Sequence, residues 1–460
     1  MTFEVRDKLC WVVGLARSGC AAGALLKRHG ARVVGVDDAA EDKVRARWER
    51  EGLDAGASFD DLALDGSDPT PNPDLVVISP GVPGDVSRLA EVAAGTAVIG
   101  ELELGARFCR ATTAAITGTN GKTTTTEWLA HLGRTAGRAT HALGNVGRPV
   151  CAVADSLDTN ALAILEVSSF QLESVDTFQP RVGAVLNLAP DHLDRYPDLA
   201  YYFAAKRILA EKTGPSGHFV TWTGCPEARA WETEATRVLF GDESEGAAVF
   251  YRDDALWMSW EGETRPLTAR DDLALQSPPN LLNALAAATC GLALGLEPGA
   301  IDQGLREFPG LPHRHEKVAR RGGVTFVNDT KATNVHAVCA GLDGYRGEVV
   351  LIAGGSGKGE DYAPLRDVMG AVRAVVLIGD EGPAIGRALE GAVKTVAAVG
   401  LDEAVRLAAD LAEPAADVLL SPACASFDMF LDYADRGRAF TAAALAAGAA
   451  PWTATGKDSA

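Results

Sequence analysis

Short apolar runs alternate with segments of helical spacing along this 460-residue chain. Residues 8–14 read as a buried strand, 18–29 as a helix with apolar positions at helical intervals, and 32–38 as a second strand ending in two acids. Residues 74–79 form another strand, followed by the stiff loop Pro80-Gly81-Val82-Pro83. Further on, 113–117 is β-prone and leads through glycines into the helical run from Glu127. Apolar strands follow at 162–170, interrupted by Glu166, and at 182–188, then a helix around 201–209. Residues 217–275 read as short strands with polar turns, more a meander than a βαβ series. The segment 278–288 starts a small-residue helix with Asn280 and Asn283 on one face, Asn280 being the expected cap. Strands at 324–329, 348–355, 374–379 and 417–421, with helices between them, predict a further parallel sheet. The class is α/β.

The length suggests about three domains. Breaks fall before the helix-like stretch at 101 and in the Gly310-Leu-Pro-His-Arg linker, giving 1–100, 101–310 and 311–460. A formal net charge of −19 argues against a nucleic-acid or anionic-membrane surface. Eight scattered cysteines without a C-x-x-C pair read as reduced thiols. There is no apolar run of 18 residues and no apolar signal core near Met1, so a cytoplasmic protein without a membrane span is expected.

The chemistry concentrates after 113–117. Gly118-Thr119-Asn120-Gly121-Lys122-Thr123-Thr124 stands between a strand and a helix, the setting of a phosphate-binding loop. Glycines let backbone N–H groups face a phosphate, Lys122 adds a charge, and the Thr123 hydroxyl suits magnesium. Ile116 replaces the first glycine of the usual pattern, so a plain Gly-Lys helix start is the bland alternative. Gly14-x-Ala16-x-x-Gly19, with Asp37 at the next strand's end, fits a dinucleotide, another nucleotide diphosphate, or no ligand. Glu166 interrupts an apolar strand, where an unpaired carboxylate is costly; it reads as a metal ligand, the bland alternative being an acid at a solvated strand end. Asp191 and His192 follow a strand and belong beside the phosphate loop if the sheet is parallel. Lys206, on an apolar helix, reads as a snorkelling lysine. Asp329, Lys331, Lys358 and Ser426 gather at strand ends, where open α/β sheets bind ligands.

T-G-T-N-G-K-T-T, L-E-V-S-S-F-Q-L, D-H-L-D-R-Y, G-L-P-H-R, N-D-T-K-A-T-N, G-G-S-G-K and S-P-A-C-A-S-F-D occur in one order over essentially the whole chain. Together they resemble the Mur ligase family. N-D-T-K-A-T-N and S-P-A-C-A-S are most specific to the member acting on UDP-N-acetylmuramoyl-L-alanine and D-glutamate. Ala16 departs from the glycine common in the first turn. The resemblance implies a Rossmann-like uridine-nucleotide domain, a central ATPase-like domain, and a second Rossmann-like domain that closes over the site. It implies ATP, two magnesium ions, an acyl phosphate and attack by the glutamate amine. By the same resemblance Lys122, Asn145, Glu166, His192 and Lys206 serve catalysis, with Thr123, Glu166, His192 and a carbamylated Lys206 around the metals. Residues 118–124, Asn283, Arg314 and Asp329 would bind ATP. Leu15, Ala16, Asp37, Gly81 and Asn145 would line the uridine pocket. His313, Lys331, Thr333, Lys358, Ser426 and Phe427 would meet glutamate. Rival readings are the same chemistry with L-glutamate, a folylpolyglutamate synthase, a nicotinamide dehydrogenase, and a nucleotide-gated binding protein. A monomer is expected.

Overall fold

The computed structural model describes residues 3–67, 72–82, 92, 95–192, 195–343, 345, 347–357 and 359–453. Pro83, Leu193, Asp194, Lys358 and the tail from 454 lie outside the described residues. Two compact units are distinguished: Met1–Asp272 with Asn283–Glu307, and Leu273–Leu282 with Phe308–Ala460.

The first unit holds two sheets. One comprises β1 (Leu9–Val13), β2 (Arg32–Val36), β3 (Asp61–Ala63), β4 (Leu75–Ile78) and β5 (Ala97–Gly100), in the order β3-β2-β1-β4-β5. All its pairings are parallel. That doubly wound order places the turn after β1 at the point where the winding reverses, the usual ligand position. Helices α1 (Arg17–Arg28) and α2 (Glu41–Glu51) cross between its first strands. Only Val44 and Trp48 of α2 are buried, so its sequence carries too little apolar pattern to be read as a helix. Strand β5 runs straight into α3 (Glu101–Phe108), and the Gly100 N–H is bound by Ser174 O at 3.0 Å. A tight β–α junction, not a linker, stands at residue 100.

The second sheet is built from β6 (Thr112–Thr117), β7 (Thr140–Gly144), β8 (Leu162–Glu166), β9 (Val182–Val185), β10 (His218–Trp222), β11 (Thr236–Gly241), β12 (Val249–Arg252), β13 (Ala255–Trp260) and β14 (Glu263–Ala269). Its order is β14-β13-β12-β11-β10-β9-β6-β8-β7. The seven strands from β12 to β7 pair in parallel, and only β13 and β14 form an antiparallel meander. The expected meander over 217–275 is therefore half right: β10 and β11 are parallel and joined by a short helix, Pro226–Ala230. One core spans both sheets, with Leu102 and Leu104 of α3, Leu25 and Leu26 of α1, and Val150 and Cys151 in a single cluster.

The second unit has seven strands in the order β19-β18-β17-β20-β16-β15-β21. They are β15 (Glu316–Arg321), β16 (Val324–Asn328), β17 (Val349–Gly354), β18 (Val372–Ile378), β19 (Lys394–Ala397), β20 (Asp417–Leu420) and β21 (Ala450–Pro451). The strands β19 to β16 are parallel, as their apolar runs predict, with one hydrophobic cluster on each face. Antiparallel β15 and β21 extend the edge. The sequence Glu-Lys-Val-Ala-Arg-Arg of β15 is polar because the two-residue β21 covers it only at Ala319 and Arg320, leaving most of its outer side at the sheet's margin.

Candidate active site

In the first unit a cleft of about 450 Å³ opens at the β1–β4 crossover, lined among others by Ala16, Asp37, Arg47, Gly81, Asn145 and Gln171. Ala16 caps α1 with extended backbone, φ −88°, so alanine costs nothing where a glycine is common. Leu15, in contrast, is fully buried and offers the site only its backbone. Its N–H donates to Asp37 Oδ2 at 3.0 Å, the Arg47 guanidinium to the same oxygen at 3.1 Å, and the Ala39 N–H to Oδ1 at 3.0 Å. Asp37 thus ties the end of β2 to the first turn, and Arg47 is a cleft cation that sequence reasoning missed.

The phosphate loop joins β6 to α4 (Lys122–Thr135). Gly121 caps the helix at φ +84°, and a Cβ there would lie 2.3 Å from Asn283 Oδ1, so glycine is required twice over. Asn283 also accepts from Thr125 Oγ1 at 3.2 Å. It lies on α8 (here Pro278–Ala293, the helices α5 Ser169–Leu172, α6 Leu199–Lys212 and α7 Pro226–Ala230 preceding it). Asn280 falls inside the first turn of α8 and donates to Ser277 Oγ at 2.9 Å, so it is not the cap. The loop is pinned by Asn187, which accepts the Asn120 N–H at 2.9 Å and donates to Asn120 O at 3.0 Å. Thr119 Oγ1 donates to Ala189 O at 3.1 Å. The strand end bearing Asp191 and His192 therefore does lie against the phosphate loop.

Two lysines meet at one oxygen. Lys122 Nζ donates to Gly118 O and Thr119 O, each at 2.9 Å, and Lys206 Nζ donates to Gly118 O at 3.1 Å. Two full charges sharing one oxygen would repel each other. Lys206 is 1% exposed; burial first, then Lys122, push its amine well below the ordinary lysine range, against the opposing pull of Asp191. It does not snorkel. Its nitrogen sits 4.6 Å from the Tyr202 ring centre, and His192 packs edge-on to Tyr202 and to Phe170. His192 itself has φ +56°.

Glu166 ends β8, opposite Ile116 of β6. It is 2% exposed, so the solvated strand end is excluded. Asn145 Nδ2 donates to Oε1 at 2.9 Å, while Oε2 is buried with no hydrogen-bond partner among the described residues. An open carboxylate oxygen is the hard donor type that magnesium takes, and so is a threonine hydroxyl such as that of Thr123. Among the described residues no group of three His, Cys, Asp or Glu forms a cluster for a metal ion, so phosphate oxygens would have to complete any such site.

The second unit carries Arg314, Asp329 and the glutamate candidates. His313 Nδ1 lies 3.0 Å from Asn328 Nδ2, and burial lowers its pKa. The His313 carbonyl accepts the Lys331 N–H at 3.2 Å, and the Thr333 N–H reaches Lys331 O at 2.9 Å. Lys331 Nζ stands 4.2 Å from the Tyr433 ring centre. Ser426 Oγ is buried without a partner among the described residues, whereas Phe427 is 74% exposed. Lys358 cannot be placed. Sequence reasoning missed Arg436 in the helix Tyr433–Ala446. It is fully buried and donates to Thr330 Oγ1, Thr330 O, Ala425 O and Cys424 O at 2.9–3.1 Å. One guanidinium thereby holds the loops after β16 and β20 together; the D-R-G around it gave no sign of burial.

Comparison with known proteins gives a consistent result. The Mur ligase middle domain matches residues 116–291, and the Mur ligase glutamate ligase domain matches 313–424. The chain is similar to two proteins named UDP-N-acetylmuramoylalanine--D-glutamate ligase. One, from Acidobacterium capsulatum, is 38% identical over 98% of this chain and 99% of its own length. The other, from Anaeromyxobacter dehalogenans, is 41% identical over 95% and 97%. A MurF ligase from Thermotoga maritima, solved with ADP, shares the fold at TM-score 0.57 and 15% identity, covering 96% of this chain and 97% of that one.

Proposed function

We propose that this chain, which belongs to the Mur ligase family, joins D-glutamate to the alanine carboxylate of UDP-N-acetylmuramoyl-L-alanine while ATP becomes ADP and phosphate. In the structure, the observation that supports this best is Glu166, a buried carboxylate with one open oxygen on the strand next to the phosphate loop. The reaction starts with a substrate carboxylate oxygen attacking the γ-phosphorus as the bond to ADP breaks. The glutamate ammonium loses one proton, its amine nitrogen attacks the acyl carbon, and the tetrahedral adduct loses a second proton from nitrogen as the C–O bond to phosphate breaks, leaving the amide. Two anions approaching to 4 Å repel by about 4 kcal/mol at an effective dielectric of 20, and Lys122 offsets part of this at the outer phosphates. Bound magnesium, held by Thr123 and Glu166 and at a second position by His192 and a carbamylated Lys206, would supply Lewis-acid polarisation of the phosphoryl oxygens. The neutral amine favoured for Lys206 is the form that adds to carbon dioxide, losing one proton as the N–C bond forms.

In this reading the cleft residues Ala16, Asp37, Gly81 and Asn145, with the Leu15 backbone, hold the uridine nucleotide. Residues 118–124, Asn283, Arg314 and Asp329 hold ATP, and His313, Lys331, Thr333, Lys358, Ser426 and Phe427 hold glutamate. The same reading takes domains at 1–100, 101–310 and 311–460, a monomer, and a cytoplasmic enzyme. Among the described residues no helix is long and apolar enough to cross a membrane. The test is phosphate release from ATP with UDP-N-acetylmuramoyl-L-alanine and either D- or L-glutamate. Release that needs the uridine nucleotide and D-glutamate is expected; release with L-glutamate alone would reverse the stereochemistry, and none with either would remove the assignment. Lys206→Ala should cut turnover while leaving uridine-nucleotide binding intact. Near-normal turnover in that variant would end the carbamate role.

A further inference from the structure

We propose that His315 is a positioning residue that fixes the Asp329 carboxylate for ATP; the proposal rests on the reading of Asp329 as an ATP contact. Asp329 is the first residue past β16. Its Oδ1 accepts the His315 backbone N–H at 3.2 Å, its Oδ2 lies 3.4 Å from His315 Nδ1, and Oδ2 also accepts from Ser421 Oγ at 2.9 Å. One residue therefore meets both carboxylate oxygens, Oδ1 by a main-chain hydrogen bond and Oδ2 by a ring-nitrogen contact.

That double contact is built against local preference. His315 sits at φ +50°, a left-handed conformation that side chains other than glycine seldom adopt. Its side chain is only 10% exposed, and Nε2 is buried without a hydrogen-bond partner among the described residues. The ring also needs room. A Cβ at Gly341 would stand 3.1 Å from His315 Cε1, so glycine in α10 (Val335–Leu342, with α9 Pro298–Glu307 before it) opens the space. The neighbouring Tyr345 ring lies 6.2 Å away and sends its hydroxyl to Asp417, not to the imidazole. A residue that merely filled space would need neither the left-handed turn nor an orphaned nitrogen; both coincide with the hold on Asp329.

The hold has a chemical consequence. Oδ1 and Oδ2 each accept one hydrogen bond, from the His315 N–H and from Ser421 Oγ, and the imidazole stands against Oδ2 at 3.4 Å. His315 thus fixes the carboxylate plane and crowds its Oδ2 side, leaving Oδ1 as the freer acceptor for one further donor in a fixed direction. A nucleotide hydroxyl fits that requirement.

The experiment compares full-length His315→Phe and His315→Asn with wild type, measuring kcat, the KM of each of the three substrates, and thermal unfolding. The phenyl ring keeps the bulk and loses the ring nitrogen; the asparagine amide restores a polar nitrogen of similar reach. We expect His315→Phe to raise the KM for ATP about tenfold, the scale of losing a polar partner of a charged group, with kcat and the other two KM values within about twofold. His315→Asn should recover most of that loss. An unchanged KM for ATP in His315→Phe would overturn the proposal. So would a parallel rise in all three KM values with a fallen unfolding temperature, or failure of asparagine to restore ATP affinity. If wild type released no phosphate at all, the functional assignment would fall instead, which the same assay distinguishes.

Discussion

Glu103 and Glu166 belong to the same unit and are equally hidden from water, with exposures of 0% and 2%, yet they live in opposite surroundings. Glu103 accepts from the N–H groups of Asp176, Thr177 and Phe178, the Thr177 hydroxyl and the Arg107 guanidinium. Glu166 accepts from one amide and leaves an oxygen bare. Burial alone would raise the Glu103 pKa, but Thr177, Asp176 and Arg107 together bring it down to about 2. A saturated buried carboxylate is part of the framework, whereas one left partly open is relieved by a proton or by a cation.

Replacing each acid by its amide should separate the two roles. Glu166→Gln keeps the oxygen that Asn145 holds and removes the charge. Turnover should fall on the order of 10²–10³-fold, the scale of losing one transition-state electrostatic contact, while the unfolding temperature without ligands stays level or rises. A lower unfolding temperature with turnover kept would invert the comparison. Glu103→Gln should do the reverse, costing about 3–5 kcal/mol as a broken buried ion pair does, with turnover per folded molecule unchanged. Denaturant titration beside phosphate release reads both.

The smallest effect concerns Glu101, one helical turn's start from Glu103. Its Oε1 accepts the Cys151 N–H at 2.7 Å and Oε2 is buried without a partner among the described residues. Burial raises its pKa from 4.5 to about 7, against the backbone donors of Cys151 and Val150. Since the folded pKa is the higher one, its contribution is complete below pH 4.5 and is lost as pH rises to 7. Glu103 has the lower folded pKa, so its contribution is complete above pH 4.5 and is lost towards pH 2. Glu101→Gln should flatten the fall in stability between pH 5 and 7.5; an unaltered slope would show that another group titrates there.

Much of this was legible in the chain. An acid inside an apolar run announced Glu166, and the strand–glycine–Lys-Thr order announced the phosphate loop, because both are local patterns with a physical cause. The same patterns gave the parallel sheets. Lys206 was misread from its residues alone: an apolar helix with one lysine looks identical whether the amine reaches water or lies beneath a loop 88 positions earlier. Glu101 and Glu103, in an ordinary Glu-Leu-Glu-Leu, gave no hint of burial, since their donors come from residues 151 and 176–178. Arg436 and His315 were missed for the same reason. Partners supplied by distant segments leave no mark on neighbouring sequence.

The Glu103 network also has a timetable. Its three main-chain donors lie 73 to 75 residues further along the chain. At roughly 5–20 residues per second, a ribosome needs on the order of 4–15 s to deliver them after α3 has emerged. Throughout that interval the helix carries an acid that belongs in water, so it waits undocked. The pace of translation between residues 103 and 178 therefore sets the earliest moment at which this carboxylate can be satisfied, and a slow stretch of codons there would prolong exposure of Leu102 and Leu104.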